Sequence, residues 1–139
     1  MGVRRRGREL AFQMLYQHEV GGNDIDSIVA SFEELHQATE ATQEFAMRLA
    51  RGAVANKAEI DAHLGSQADN WRLDRMAAVD RNILRLAMFE LQEGGDTPPA
   101  VIIDEAIEIA KRFGSERSGQ FVNGVLDGYL RRSRASAGA

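Results

Sequence analysis

The chain has 139 residues, 44% of them hydrophobic but only 6% aromatic, so a single core has to be built mainly from Leu, Ile, Val, Met and Ala, residues that suit helix packing. The absence of cysteine excludes disulfides, thiolate catalysis and Cys-type zinc or iron–sulfur sites, and no apolar run approaches the roughly 18 residues of a membrane span. A net charge of −4 hides an uneven distribution: residues 1–20 carry four Arg against two Glu, residues 21–70 three bases against nine acids, and the rest ten of each, which sets a basic end beside an acidic belt.

The arginines at the N-terminus have no apolar stretch behind them, so they do not open a signal peptide, and a cytoplasmic protein is expected. The first helix runs from about Arg5 to Val20, turns Ala11, Met14 and Leu15 inward, and stops at Gly21-Gly22. Asn23 or Asp24 caps the second, whose stripe is Ile25, Ile28, Val29, Phe32 and Leu35. A third helix spans roughly Thr42 to Asn56, with Phe45, Leu49 and Val54 as core candidates. It continues or bends into a short fourth, Lys57 to Leu64, which Gly65 stops. Ser66 to Arg72 is a polar connection carrying Trp71. The fifth helix, about Asp74 to Glu93, has apolar residues on too wide an arc for a surface helix and is expected to be central; Gly94-Gly95 ends it. The paired prolines mark the sixth, with Thr97 as cap and Pro98 in its first turn, ending at Gly114. Ser115 caps the seventh, with stripe Phe121, Val122, Val125 and Tyr129. No strand-like alternation or repeat is present, so the fold class is all-α with about seven helices.

Catalytic chemistry is hard to find in this pattern. His18, His36 and His63 fall on different helices without convergent metal ligands, and read as solvated or locally bonded side chains. The neighbouring acids Glu33-Glu34 and Asp104-Glu105 point about 100° apart on a helix and do not converge on one atom. Glu105 and Glu108 share a face but lack the Glu-x-x-His of a di-iron site. No dinucleotide fingerprint, phosphate loop or nucleophile elbow occurs. The expectation is no enzyme, no cofactor and no metal.

Two features call for an explanation. Arg4, Arg5, Arg6 and Arg8 crowd guanidiniums at a helix N-terminus, where the dipole disfavours cations. Polyanion contact is one gain that offsets this, since the planar fork grips phosphate and stacks on bases; a solubilising terminus is the other reading. Gly119, Gly124 and Gly128 lie inside the last helix, and the i, i+4 pair Gly124 and Gly128 suggests close approach of another helix or of a ligand backbone.

Three ordered blocks then carry a family likeness. The stretch from Trp71 to Leu91 resembles the central helix of NusB proteins. Pro99, Val101 and the run Asp104 to Gly114 resemble the helix that follows, and Phe121 to Asp127 resembles the closing block. Arg4-Arg-Arg-Gly-Arg-Glu-Leu-Ala11 with Leu15-Tyr16 resembles the opening helix, and the likeness is weakest from about Gly21 to Asn70. What the resemblance implies is a bacterial transcription antitermination factor with two three-helix bundles packed together and an extra helix. It implies one domain over 1–131, made of subdomains about 1–65 and 71–131; the aperiodic Arg, Ser, Ala and Gly at the end of the chain predict a flexible tail, 132–139. It implies binding of the boxA element of ribosomal RNA transcripts together with NusE, a small-subunit ribosomal protein, and entry into the complex on RNA polymerase with NusA and NusG.

By resemblance, Arg4, Arg5, Arg6 and Arg8 would hold RNA phosphates with Tyr16 nearby, and Phe121 and Asn123 would lie on the RNA-facing surface. Asp74, Asp80 and Arg81 fall where the family meets NusE and the edge of the RNA. Arg117, a base not required by the pattern, is expected to add an RNA contact. Competing readings are an RNA-binding module related to ribosomal RNA cytosine methyltransferases, here without a catalytic domain, and a helical protein-interaction adaptor. No membrane partner is expected, and the sequence leaves a homodimer open.

Overall fold

A computed structural model describes residues 2–67 and 73–138. Residues 68–72, which hold most of the expected polar connection and its Trp71, lie outside the described residues. Eight α-helices and one short 3-10 turn make up the described chain, which contains no strand. No described helix is long and apolar enough to cross a membrane.

Helix α1 (Val3–Gly21) is ended by Gly22 at φ 75°, the left-handed conformation that glycine adopts without steric cost. Asp24 then caps α2 (Ile25–Ser31), accepting from the Ser27 amide at 2.8 Å and the Ser27 hydroxyl at 3.0 Å. The stripe from Ile25 to Leu35, expected as one helix, is broken at Phe32, whose extended backbone (φ −77°, ψ 99°) separates α2 from α3 (Glu33–Gln37). The break preserves the inward positions Ile28, Val29 and Leu35, so periodicity alone does not reveal it. It also deprives the Val29 carbonyl of its helical donor, and the His36 ring Nε2 takes that place at 2.8 Å.

Thr39 caps α4 (Glu40–Ala55), and α5 (Lys57–Gln67) follows at Asn56. Gly65, expected as a stop, lies inside α5. The central helix α6 (Ala78–Glu93) begins four residues after the expected Asp74, because Leu73–Arg75 forms a 3-10 turn. Arg81 stabilises that turn by donating to the Leu73 and Met76 carbonyls, both at 2.8 Å. Gly94 (φ 69°) closes α6. Helix α7 (Pro99–Phe113) starts one residue later than expected, with Pro98 at the cap and Pro99 at the first position, and the Thr97 hydroxyl instead accepts from Arg4. Helix α8 (Ser118–Gly138) follows a turn in which the Ser118 hydroxyl accepts the Ser115 amide at 2.9 Å, and it carries residues 132–138 onward as helix.

Helix α6 is central as expected: it touches α1, α4, α5, α7 and α8, and Asn82, Ile83, Leu84, Arg85, Leu86, Ala87 and Met88 are all buried. Leu10, Met14, Leu49, Ile60, Leu64, Val122 and Leu126 complete the core, each removed from water and contributing about 1.5–3 kcal/mol. Close helix approach occurs where it was not anticipated. A Cβ on Gly7 would lie 2.5 Å from Phe45 Cδ2, and one on Gly52 would lie 2.2 Å from Phe89 Cζ, so these glycines let α1 meet α4 and α4 meet α6. At Gly124 and Gly128, where close approach was expected, a Cβ would meet open space.

Candidate nucleic-acid interface

The first turns of α1 carry the arginine cluster to the edge where α4, α6 and α7 meet, and the surrounding acids hold it in place. Arg5 grips Glu105 of α7 through two hydrogen bonds of 3.0 Å, and that hydrogen bond, with the charge of Glu105, raises the Arg5 pKa further. Arg4 donates to Thr97 at 2.9 Å, with Asp96 at 3.9 Å. Arg6 lies 3.4 Å from Glu9 and 3.7 Å from Glu34. These three side chains stay partly in water, with exposures of 54%, 50% and 31%. The carboxylates therefore orient them without sealing them off.

Arg8 is different. At 4% exposure it lies inside the protein, and its two N–H edges are taken by Glu90 at 2.7 and 2.9 Å. The expectation that Arg8 holds phosphate with its neighbours meets this geometry: the guanidinium faces α6, beneath the Phe45 ring at 5.3 Å. Arg4 and Arg48 approach the same ring at 5.9 and 5.4 Å, and Arg48 pairs with Glu93. Buried Glu9 also binds Arg112 of α7 at 2.7 Å, which extends the basic edge along that helix.

Tyr16 lies further along α1, partly buried in an apolar groove of about 350 Å³ formed with Phe12, Val79 and Phe113. Phe12 bridges two rings there, with centroids 6.3 Å from Tyr16 and 5.2 Å from Phe113. Arg117 is exposed, and Phe121 is partly buried beside it. Asn123 is exposed on a neighbouring cleft between α7 and α8 with Lys111 and Gly119. Asp74 is exposed on the 3-10 turn. Asp80, expected by resemblance where NusE meets the edge of the RNA, lines the same cleft as Arg117 and Phe121. Arg81, expected at a protein interface, points inward with its side chain 13% exposed.

Arg81 belongs to a network that ties α1, α5 and α6 together. Glu19 receives Arg81, Arg85 and the Asn82 amide, the last at 2.8 Å, and Arg85 clasps Asp61 at 2.8 and 3.0 Å. Burial pushes the Glu19 carboxyl up, but hydrogen bonds from Arg81 and Asn82 and the charges of Arg85 and Arg81 outweigh it and hold it below the usual carboxylate range. Burial likewise disfavours the Arg85 cation, yet Asp61 and Glu19 raise its pKa. The sequence places Phe45 only among the core candidates and does not single out Arg48 or Arg112. The first two are i, i+3 on α4, and Arg112 lies seven residues after Glu105 on one face of α7, but nothing local links either set to the arginines of α1. Among the described residues no cluster of His, Asp and Glu is arranged to hold a metal ion.

The sequence model of the NusB family matches residues 5–131. The chain is 46% identical over 127 residues to the transcription antitermination protein NusB of Sorangium cellulosum (strain So ce56), covering 91% of each chain. The T. maritima NusB structure superposes with a TM-score of 0.83 at 44% identity, covering 92% of this chain and 90% of that one. A crystal structure of the antitermination factors NusB and NusE in complex with double-stranded RNA superposes with a TM-score of 0.85 at 28% identity, covering 95% of this chain and 98% of that one.

Proposed function

Because the chain belongs to the NusB family, we propose that it acts in transcription antitermination by binding the boxA element of ribosomal RNA transcripts together with NusE. The pair then joins RNA polymerase with NusA and NusG. The observation that carries the reading is the partly exposed, pre-oriented row of Arg4, Arg5 and Arg6 at the start of α1. Ordered forks reach phosphate without the full entropy cost of fixing a long side chain, and phosphate oxygens can take over the positions now held by carboxylates. Arg112 extends this row, whereas Arg8 acts from beneath, fixing Phe45 and the course of α1.

Tyr16, Arg117, Phe121 and Asn123 extend the RNA-facing surface, and Asp74 and Asp80 lie at the boundary with NusE. Arg81 serves that boundary indirectly, by holding the 3-10 turn on which Asp74 sits. The NusB–NusE pairing with RNA in a structural neighbour supports the choice of partners.

A titration of labelled boxA RNA against a scrambled RNA, with and without NusE and at two salt concentrations, tests the proposal. Selective binding to boxA that NusE strengthens is expected, with Arg5→Ala weakening affinity and reducing its salt dependence. Equal binding to both RNAs under every condition would leave only a generic basic surface.

A further inference from the structure

Of the partly exposed Arg4, Arg5 and Arg6, only Arg5 is clasped by a carboxylate through two hydrogen bonds among the described residues. Its Nε and Nη2 donate to Oε2 and Oε1 of Glu105, both at 3.0 Å. Asp96 stays 3.9 Å from Arg4, and Glu9 and Glu34 lie 3.4 and 3.7 Å from Arg6. A guanidinium grips two phosphate oxygens through the same kind of parallel fork, so carboxylate and phosphate cannot hold the Nε–Nη2 edge together. The two partners also differ in freedom. The Arg5 side chain is 50% exposed near the start of α1, whereas that of Glu105 is 16% exposed on α7, a helix anchored by buried Ile102, Ala106 and Ile109. When the pair opens, the arginine swings and the carboxylate stays.

A phosphate that takes Arg5 therefore finds Glu105 still beside it. Glu108 stands one turn further along α7 and Glu9 one turn further along α1, and the charges of all three carboxylates act on the Arg5 guanidinium. A phosphate on the remaining edge of the guanidinium would meet the same negative field with Glu105 still bound. We propose that Glu105 is a built-in competitor for phosphate at Arg5: it closes that guanidinium in the free protein, and RNA binds by displacing it. The exchange replaces one charge-assisted fork by another and leaves a carboxylate uncompensated. A lone phosphate gains little from it, whereas a strand whose neighbouring phosphates also meet Arg4, Arg6 and Arg112 gains enough to open the pair. Glu105 thus holds down binding to short or ill-fitting polyanions. The proposal rests on the RNA-binding reading above and adds to it the control of that surface by a residue of α7.

The test uses the full chain with labelled boxA and scrambled RNAs at two salt concentrations, with and without NusE. Binding is followed by fluorescence anisotropy, and folding of each variant by circular dichroism. Glu105→Gln should bind both RNAs several-fold more tightly than the parent at low salt, and the gain should shrink at high salt. Glu105→Ala, which also removes the hydrogen bond that a glutamine can keep, should gain at least as much. Arg5→Ala should cancel most of the gain, so that Arg5→Ala and Glu105→Gln combine non-additively in a double-mutant cycle. Glu108→Gln makes the same change in charge without touching the clasp and should gain less. Weaker or unchanged RNA binding by both folded Glu105 variants would show that the carboxylate merely orients Arg5, and would overturn the proposal. So would a gain that persists in the Arg5→Ala background or is matched by Glu108→Gln, since either reports a general charge effect. Equal binding of both RNAs by the parent would overturn the boxA reading and leave the competition measurable on either RNA, whereas no RNA binding at all would overturn both.

Discussion

Removing the carboxylate of Glu90 would strand a guanidinium inside the protein. Arg8 and Glu90 are 4% and 7% exposed, joined by two hydrogen bonds of 2.7 and 2.9 Å, and Phe45 covers the guanidinium at 5.3 Å. In Glu90→Gln the cation keeps its place and loses its counter-charge. Breaking one partner of a buried pair in this way costs about 3–5 kcal/mol. That is a large share of the roughly 5–15 kcal/mol that holds a domain together, and for a chain of this size it lowers Tm by on the order of 10–20 °C. Arg8→Met combined with Glu90→Met removes both charges and should recover most of the loss, and with Arg8→Met and Glu90→Met made singly it closes a double-mutant cycle with a coupling energy of a few kcal/mol. Urea and thermal melts of the four proteins measure it, and RNA titrations of the folded members complete the assay. Since Arg8 faces inward, the double variant should bind RNA within about twofold of the parent, while Arg5→Ala should not. A loss of under about 1 kcal/mol in Glu90→Gln would refute the account of the pair. A well-folded double variant that loses RNA as severely as Arg5→Ala would show that Arg8 reaches phosphate after all.

Two further outcomes follow from packing and charge. Gly7→Ala places a methyl 2.5 Å from Phe45 and should cost about 1–3 kcal/mol, whereas Gly124→Ala meets open space and should gain up to about 1 kcal/mol from helix propensity; thermal melts that rank the two the other way would contradict the packing described. Glu19 has its pKa lowered in the folded protein, so its ionised form adds stability above the ordinary carboxylate range, near pH 4, and that stability fades as pH falls through the depressed native value. Glu19→Gln should therefore be less stable than the parent at pH 7 and approach it at pH 3 in urea melts; a gap independent of pH would rule out the titration of Glu19 as its source.

The helical class, a stop at Gly21-Gly22, a cap at Asn23 or Asp24 and the central position of α6 were legible in the sequence, and the structure selects Gly22 and Asp24. The break at Phe32 was not legible. An extended residue between two short helices leaves the apolar stripe in phase, and the His36 bond that compensates for it appears only in three dimensions. Gly65 illustrates the opposite error, since a glycine is a stop only where the chain adopts a left-handed turn, and here the helix continues through it. The glycines that matter most for packing, Gly7 and Gly52, are identified by the Phe45 and Phe89 rings that lie against them from other helices.

The same argument explains why the arginines could not be sorted by reading along the chain. Arg4, Arg5, Arg6 and Arg8 look equivalent in sequence, yet their partners come from Thr97 and Asp96, Glu105, Glu9 with Glu34, and Glu90 respectively. Three of them remain at the surface and the fourth becomes part of the core, and only the folded positions of distant acids decide which. Net charge is uninformative for a related reason. Acids such as Glu9, Glu90 and Glu105 are occupied in orienting cations, so they subtract from the total charge without forming a separate negative surface. Arg75 and Arg117, which line one cleft from two elements, show the reverse arrangement, with no carboxylate partner among the described residues. An arginine already paired with a carboxylate must exchange it to bind phosphate, while an unpaired one need only shed water and counterions. Substitution at Arg117 should therefore appear mainly in the salt dependence of binding, and substitution at Arg5 in both the binding and the stability of the α1–α7 contact.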